Sequence, residues 1–283
     1  MNYRHAYHAG NFADVVKHLA LVSILLHLRK KDAAFAVIDS HAGRGLYDLA
    51  GEAAARTGEA ERGIGRLLTP DVVGSALPEA LHRYLAIVQG SSARFYPGSP
   101  LIATMLLRPQ DRLVAIESQA DEAAALKSVL ATFRNKALRS ECADGYGRLN
   151  ALLPPPERRG LVLIDPPFES AEEFQAQARA LGEALKRFAT GIYLLWFPIK
   201  SAGEASAFCG EVLAAGVKKA LRIDIDVGLA KDDDKERLRA AGLIVVNPPF
   251  GFAQDMRDCL ARVAPLLSDT ARAELRMLAG EET

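Results

Sequence analysis

One short stretch of the sequence combines residue types that could activate a planar amino group, Asp165-Pro166-Pro167-Phe168. The carboxylate of Asp165 and the carbonyl of Pro166 form a pair of acceptors that can hold both hydrogens of such a group. They make its nitrogen more electron-rich as positive charge develops, and Phe168 offers a flat face on which a ring can stack. These residue types suit methylation of an amino group conjugated to a ring or an amide. They also suit a strand followed by a proline-stiffened loop with a surface acid.

A second stretch, from Asn247 to Phe250, repeats the pattern with an amide in place of the carboxylate. Two strand-like runs, residues 191–197 and 220–226, separate it from Asp165. The second stretch would therefore follow a late strand, away from the methyl donor. We interpret it as structural.

The residues before Asp165 predict the element that positions it. The apolar run from Gly160 to Ile164 is bounded by glycine and proline, which is typical of a strand buried on both faces of a parallel sheet. In an open α/β sheet the ligand crevice lies at the carboxyl ends of the strands. We therefore expect Asp165 to face a ligand site, on a backbone that the prolines make rigid.

A glycine turn follows an earlier predicted strand. Residues 33–38 form an apolar run, and Gly43 and Gly45 then form a Gly-x-Gly turn where backbone can approach a nucleoside closely. The third glycine of the dinucleotide fingerprint is missing and no acid follows about twenty residues later, so NAD and FAD fit poorly. The shorter turn suits a ligand without pyrophosphate, and S-adenosylmethionine is the obvious candidate.

Three further positions predict contacts to such a cofactor. Ser99 is a predicted helix N-cap with a proline after it, where backbone N–H groups can receive a carboxylate. Glu117 ends a predicted strand and suits ribose hydroxyls, while Asp144 ends a third strand and could accept from the adenine amino group. Glycine turn, ribose acid, adenine acid and Asp165 follow the order of successive strands in a class I methyltransferase.

Two helical regions are also predicted. Asn11 is a plausible N-cap for an amphipathic helix that continues to Leu28 and closes on a basic run. Lys17 and His18 lie in this helix, where a solvated lysine and a core histidine are the simplest interpretation. Residues 47–94 are rich in Ala, Glu, Arg and Leu and predict a small helical insertion, since a crossover between strands needs far fewer residues.

Composition limits the class of protein. At 283 residues, 49% hydrophobic and 25% charged, the chain suits a single α/β domain over residues 1–283, and its net charge of zero gives no overall attraction to nucleic acid. Three separated cysteines favour a reducing compartment. No apolar stretch reaches membrane-spanning length and no signal peptide is evident, so we expect a cytoplasmic protein. His5 and His8 have no acidic or thiol partner at ligand spacing, so we expect no metal.

Several motifs together resemble one family. They are Tyr3-Arg4-His5, His8-Ala9-Gly10-Asn11, Ala13-Asp14-Val15, Lys17-His18, residues 39–43, Tyr96-Pro97-Gly98-Ser99-Pro100, Ile164-Asp165-Pro166-Pro167-Phe168, residues 187–193 and Asn247-Pro248-Pro249. Over nearly the whole chain the sequence resembles the bacterial RlmJ family, enzymes that methylate N6 of one adenine in 23S ribosomal RNA with S-adenosylmethionine. The resemblance implies a Rossmann-like class I methyltransferase whose target is adenine 2030. We expect the enzyme to be a monomer. One departure is Phe168, where many members carry Tyr.

The resemblance also implies roles for single residues. The cofactor-binding candidates are then Lys17, His18, His41, Gly43, Ser99, Glu117, Asp144, Gly145 and Asp165, and the catalytic candidates are Asp165, Pro166 and Phe168. Tyr3, Arg4 and His5 are implied to belong to a flexible tail, residues 1–10, that meets the RNA. Aromatic and cationic groups on such a tail suit an extruded base and its phosphates. Further candidates for phosphate contacts are Lys30, Lys31, Arg158 and Arg159.

Two other classes of function stay open. A methyltransferase acting on DNA adenine N6 or on a protein glutamine N5 would use the same acceptor pair on a similar nitrogen. A non-catalytic module that binds adenosyl compounds or RNA would also carry these motifs. Substitution of Asp165 distinguishes the enzymes from such a module, because only an enzyme would lose turnover.

Overall fold

A mixed β-sheet with helices on both faces forms the centre of the fold. The computed structural model describes residues 5–170, 172–228 and 238–281. The strands of these residues are β1 Ala36–Asp39, β2 Leu46–Asp48, β3 Phe95–Pro97, β4 Arg112–Glu117, β5 Leu138–Cys142, β6 Gly160–Ile164, β7 Ile192–Pro198, β8 Ala220–Asp226, β9 Ala240–Val246 and β10 Arg272–Ala279.

Strand order places β1 and β6 side by side in the middle of the sheet. Within the described residues the spatial order is β5-β4-β1-β6-β7-β9-β8-β10, and β2 pairs with β3 separately. The five strands from β5 to β7 are parallel, whereas β9 is antiparallel to both β7 and β8, and β10 is antiparallel to β8. The α/β Rossmann-like fold that the sequence predicts is confirmed.

Burial on both faces explains the composition of β6. Leu161 and Leu163 pack into the apolar core on one side of the sheet, while Val162 and Ile164 pack into the core on the other side. Successive side chains of a strand point to opposite faces, so only an unbroken apolar run can fill both cores. The doubly buried strand predicted before Asp165 is confirmed.

Helices of the described residues form two layers. They are α1 Phe12–Arg29, α2 Glu52–Thr57, α3 Glu59–Arg62, α4 Ile64–Leu67, α5 Pro70–Val73, α6 Glu79–Gly90, α7 Ser99–Leu106, α8 Ala120–Ala131, α9 Gly145–Leu152, α10 Glu172–Arg187, α11 Ala202–Ala214 and α12 Phe252–Leu267. On one face α1 packs against α6, α7 and α12, and on the other α10 packs against α9 and α11. None of these helices is long and apolar enough to cross a bilayer.

Helix α1 begins where the sequence predicts. The side chain of Asn11 accepts a hydrogen bond from the backbone N–H of Asp14 at 2.9 Å, which satisfies one of the unpaired donors of the first turn. The helix ends at Arg29, so the predicted N-cap and extent are confirmed. Its residues are buried from Phe12 to Leu25, because other elements cover it on every side.

The chain between β2 and β3 packs tightly against the start of α1. A Cβ atom on Gly63 would lie 2.1 Å from the carbonyl oxygen of Gly10, and the N–H of Ile64 donates to that oxygen at 2.8 Å. This close approach fixes helices α3 and α4 beside the N-terminal turn of α1. Leu81 and Tyr84 of α6 join the core around α1, and the division into an inserted subdomain of residues 47–94 stays a prediction.

One local expectation is corrected. The N-cap of α7 is Gly98, and Ser99 is the first helical residue, so the predicted Ser99 N-cap is wrong. The Ser99 hydroxyl instead donates to Asp39 Oδ2 at 2.7 Å, because it faces the end of β1 rather than the turn. The segment after α12 forms the edge strand β10.

Candidate active site

A cavity of about 250 Å³ lies where the carboxyl ends of β1, β4 and β6 meet. Parallel strands deliver their following loops to the same edge of the sheet, which explains the convergence. The predicted site residues that line it are His5, Lys17, His18, His41, Gly43, Ser99, Glu117, Asp165, Pro166 and Phe168. Asp144 and Gly145 do not belong to this lining, and Tyr3 and Arg4 lie outside the described residues.

Lys17 joins two carboxylates at the floor of the cavity. Its ammonium group donates to Asp14 Oδ1 at 2.8 Å and to Asp165 Oδ2, and its side chain is only 5% exposed. Burial alone would lower the pKa of Lys17, but Asp14 and Asp165 outweigh this effect and raise that pKa above its ordinary value. Lys17 is therefore a fixed positive charge beside Asp165, and the solvated lysine considered from the sequence is not what the structure contains.

Asp14 connects this ion pair to the N-terminal turn. Its Oδ2 accepts from the backbone N–H of Gly10 and from His5 Nε2, each at 2.9 Å. Burial opposes ionisation of Asp14, yet His5, Lys17 and His18 hold the pKa of its carboxyl well below the usual range. These bonds hold residues 5–10 in a defined turn, and the expected flexible tail stays a prediction.

His18 is neutral and belongs to a buried polar chain. It is 1% exposed, and its Nδ1 lies 2.6 Å from the hydroxyl of Tyr96, which lies 2.9 Å from the hydroxyl of Tyr84. Burial lowers the pKa of His18 to about 3, with Lys17 adding to the effect. The residue is therefore both a satisfied core histidine and part of the cavity wall.

The proton on His41 can be assigned from its neighbours. Ser40 donates its hydroxyl hydrogen to the carbonyl of Leu163 at 2.9 Å, so the 2.8 Å contact between Ser40 Oγ and His41 Nδ1 requires a proton on Nδ1. Burial lowers the pKa of His41 to about 4, which keeps the ring neutral near pH 7. Its Nε2 is therefore an acceptor in the cavity wall.

Glu117 is held in place by backbone amides. One of its oxygens accepts from Gly43 N at 2.9 Å and the other from Gln119 N at 2.7 Å. Gly43 has a φ of +59°, so the turn requires the left-handed conformation that glycine adopts readily. A carboxylate has about four acceptor positions, so this anchored group retains the capacity to accept from a diol.

Asp39 is a buried carboxyl to which the sequence analysis gave no role. It is 1% exposed, Ser99 donates to one of its oxygens, and the other oxygen has no hydrogen-bond partner among the described residues. Burial raises the pKa of Asp39 to about 7, and the nearby Asp165 adds to the effect. Its place at the end of β1 is the same signal that identified Glu117 and Asp165.

Asp144 and Gly145 lie beside the cavity rather than in it. The carboxylate of Asp144 caps α9 by accepting from Tyr146 N and Gly147 N at 3.3 and 2.8 Å. A Cβ atom on Gly145 would lie 2.0 Å from the carbonyl oxygen of Ser40, so α9 begins in close contact with the end of β1. The adenine contact expected of Asp144 stays a prediction.

Phe168 packs into an aromatic cluster behind the cavity. It is 8% exposed, and its ring centroid lies 4.7 Å from that of Phe174 and 5.6 Å from that of Trp196. Its φ of +51° is unusual for a residue with a large side chain, and such strain is often stored at functional sites. Trp196 also lines the cavity and is a second flat surface, which the sequence analysis did not identify.

Asn247 lies at the opposite edge of the sheet from Asp165. It follows β9, which is antiparallel to β7, whereas β6 is parallel to β7. Its side-chain amide donates to the carbonyls of Ala189 and Gly191 at 2.9 and 2.8 Å. Asn247 therefore ties two loops together, which agrees with its structural interpretation.

The candidate phosphate contacts near the start of β6 are also far from the cavity. Arg159 directly precedes β6, at the end opposite to Asp165, and its guanidinium donates to the carbonyls of Ala33 and Leu28. Lys30 and Lys31 follow the end of α1 near the same carbonyls. The structure does not bring these residues into the candidate site.

Comparison with known proteins decides the family. The family model described as "Ribosomal RNA large subunit methyltransferase D, RlmJ" matches residues 32–276. The chain belongs to the RlmJ family. It is 41% identical to ribosomal RNA large subunit methyltransferase J of Escherichia coli over 92% of this chain and 91% of the relative, and 37% identical to the Haemophilus influenzae protein of the same name over 92% of each.

A solved structure has the same fold over nearly its full length. Protein LPL1258 from Legionella pneumophila superposes with a TM-score of 0.86 at 31% identity, covering 95% of this chain and 98% of that one. The two chains therefore share one fold over nearly their whole lengths. The described residues that line the RlmJ cavity include two more carboxylates than ammonium groups. The carboxylates are Asp14, Glu117, Glu122 and Asp165, and the ammonium groups are those of Lys17 and Lys200. Such a lining attracts a cation.

Proposed function

We propose that this chain transfers a methyl group from S-adenosylmethionine to N6 of an adenine in 23S ribosomal RNA, with adenine 2030 as the specific target. The observation that carries the proposal is the position of Asp165. It ends β6 in the same cavity as Glu117 and the turn of Gly43, in a chain that belongs to the RlmJ family. Its relatives are named as methyltransferases of large-subunit ribosomal RNA.

The residues of the cavity fit S-adenosylmethionine. The acidic lining suits a sulfonium cation, Glu117 suits the ribose hydroxyls, and the acceptor Nε2 of His41 suits a donor group of the ligand. Gly43 allows the backbone to approach closely. When bound, the cofactor supplies an electrophilic methyl group and leaves with the electron pair of its sulfur–carbon bond.

Asp165 and Pro166 then orient and activate the amine. Lys17 bonds Oδ2 of Asp165, so Oδ1 is the oxygen that accepts one N6 hydrogen, and the carbonyl of Pro166 accepts the other. These acceptors stabilise the positive charge that develops on nitrogen as the new bond forms. Asp165 takes the proton that N6 releases.

An adenine reaches these acceptors only when it leaves the stacked RNA. Phe168 and Trp196 both contribute to the cavity wall, so an extruded base can lie against an aromatic face there. The strained backbone at Phe168 fixes the angle between this wall and the acceptor pair. Base flipping onto these residues is the part of the proposal that a structure with bound RNA would test directly.

The test compares three classes of acceptor. Purified protein is incubated with tritiated S-adenosylmethionine and with naked 23S ribosomal RNA, duplex DNA or a protein release factor. We expect label in the RNA, located at N6-methyladenine by mass spectrometry, and label only in DNA or protein would overturn the proposal. Asp165→Ala should abolish methyl transfer. It should keep most of the affinity for the cofactor, because Glu117 and the Gly43 turn are unchanged. An undiminished yield of methylated product would exclude Asp165 as the catalytic acceptor.

A further inference from the structure

A second cavity adjoins the candidate active site. Its volume is about 110 Å³, and it shares Asn11 and Leu238 with the first cavity. Its charged lining residues, within the part of the chain that the structure describes, are Glu59, Arg62, Arg66 and Arg239. We call it the arginine cavity.

The insertion between β2 and β3 brings two of these arginines to the site. Arg62 and Arg66 flank Gly63, the glycine whose backbone lies against Gly10 at the start of α1. A side chain at Gly63 would separate these segments, so the glycine sets how closely the arginines approach the catalytic edge. Arg239 reaches the same cavity from the residue before β9.

Two of the arginines are positioned by hydrogen bonds to backbone carbonyls. Arg66 donates from Nη1 to the carbonyl of Leu267 at the end of α12 at 2.9 Å, and Arg62 donates to the carbonyl of Thr57. Nε of Arg239 is buried without a hydrogen-bond partner among the described residues. A guanidinium has five N–H donors in a planar fork, so an arginine anchored through one nitrogen can still bind an anion.

Two arginines of the arginine cavity have no acidic partner. Glu59 Oε2 bonds His8 Nδ1 and Asn11 Nδ2, each at 3.0 Å, and pairs with neither of them. Arg66 donates only to backbone carbonyls among the described residues, and no described carboxylate bonds Arg239. The adjoining first cavity has the opposite sign, with an excess of carboxylates.

We propose that the arginine cavity binds the backbone phosphates next to the adenine that enters the first cavity, an inference that rests on the proposed function. A nucleotide that leaves the stack takes its own phosphates to the mouth of the pocket. The acidic first cavity repels these phosphates, whereas guanidinium forks bind them strongly. The first cavity thus favours the cationic cofactor, and the arginine cavity favours the anionic RNA backbone.

The test uses the salt dependence of RNA binding. Affinity of the full-length protein for transcribed 23S ribosomal RNA is measured across about 50 to 200 mM KCl for wild type, Arg66→Gln, Arg239→Gln and the double variant. Each lost contact to a single-stranded phosphate should reduce the slope of log K against log salt by about 0.7. The double variant should therefore lose about 1.4 of the slope and raise KM for RNA about tenfold or more, with kcat and the Kd for S-adenosylmethionine unchanged.

Two matched variants separate charge from folding. Arg139→Gln removes an exposed arginine from β5, the edge strand far from β8 and β9, and should keep the wild-type slope. Arg66→Lys keeps the charge without the fork and should retain most of the slope. If the double variant had the same salt slope and the same KM as Arg139→Gln, the inference would be overturned, and methylation of RNA by the wild-type protein would leave the proposed function intact. If the wild-type protein transferred no methyl group to RNA, the proposed function itself would be overturned.

Discussion

Lys17 determines the electrostatics of the candidate site at the scale of single residues. It lies between Asp14 and Asp165, two carboxylates that are 2% and 15% exposed. The ammonium group of Lys17 bonds both carboxylates, so it offsets their mutual repulsion. Lys17 therefore supports both the fold of the first turn of α1 and the position of Asp165.

Lys17→Met should be destabilising. Removing one partner from a buried ion pair leaves uncompensated charge and costs about 3–5 kcal/mol. Urea unfolding should show this loss, whereas Lys186→Met, which removes a surface ammonium bonded only to Glu183, should stay within about 0.5 kcal/mol of wild type. Equal stability of the two variants would mean that Lys17 does not hold the carboxylates together.

Sequence reasoning identified the acids of the site by their position at strand ends. Glu117 and Asp165 both follow apolar runs and both line the cavity. Asp39 has the same signal, but its burial and its bond with Ser99 depend on α7 packing against β1, which no local pattern reveals. Asp14 was missed because its bonds to His5 and Lys17 combine a turn and a helix.

At the scale of elements, two copies of one motif differ in what surrounds them. Asp165 follows a parallel strand and reaches the cavity, while Asn247 follows an antiparallel strand and reaches the opposite edge. Their backbones differ as well, because the positive φ falls on Phe168 in the first copy and on Asn247 in the second. A shared tetrapeptide therefore does not imply a shared conformation or role.

Asn247→Ala should reduce stability without reducing catalysis. The change removes two hydrogen bonds to the carbonyls of the loop before β7 and places alanine in a left-handed conformation, with an expected loss of about 1–3 kcal/mol. Methyl transfer per folded molecule should stay within about twofold of wild type, whereas Asp165→Asn should lose at least about a hundredfold. A folded but inactive Asn247→Ala protein would show that the second copy takes part in the reaction.

Gly145→Ala tests the contact between α9 and β1. The new methyl group would overlap the carbonyl oxygen of Ser40 and lie 3.3 Å from His41 Cε1, so α9 must move away from the cavity wall. We expect a loss of about 1–3 kcal/mol in stability and at least about tenfold in affinity for S-adenosylmethionine by calorimetry. The control is Gly210→Ala in α11, where a Cβ meets nothing within 4 Å, and it should be slightly stabilising. If Gly145→Ala bound S-adenosylmethionine with wild-type affinity, the contact between Gly145 and Ser40 would have no role in shaping the cavity.

Apolar runs predicted most strands of the large sheet, and this signal failed where burial is partial. The interior strands β1, β6, β7 and β9 are almost wholly buried, so their apolar runs are visible in the sequence. Strand β10 is an edge strand with mostly exposed or half-buried residues, so hydrophobic and charged residues mix along it. Its pairing with β8 is a tertiary effect that the sequence alone does not display.

At the scale of the whole molecule, a net charge of zero conceals a strong separation of charge. The acidic first cavity and the arginine cavity lie side by side, and each is built from segments distant in the chain. A net charge of zero predicts no global attraction to polyanions, and composition does not indicate which local patches meet at one edge of the sheet. The packing of Gly63 against Gly10 creates that arrangement.

Buried ionisable groups also make global stability depend on pH in two opposing ways. Burial lowers the pKa of His18 from 6.5 to about 3, so between these values the unfolded chain binds the proton and stability falls as pH falls. Burial raises the pKa of Asp39 from 3.8 to about 7, so in that window the folded state binds the proton and stability falls as pH rises. These two contributions oppose each other between about pH 4 and 6.5.

Single variants should expose these opposing contributions. The free energy of unfolding of wild type minus that of His18→Gln should decrease by up to about 1.4 kcal/mol per pH unit as pH falls from about 6 to 4. The same difference for Asp39→Asn should increase by a similar amount over this range. Urea unfolding at several pH values measures both. The comparison is sensitive because each difference cancels the contributions of the other titrating groups. Two slopes of the same sign would mean that burial does not shift one of these pKa values in the stated direction.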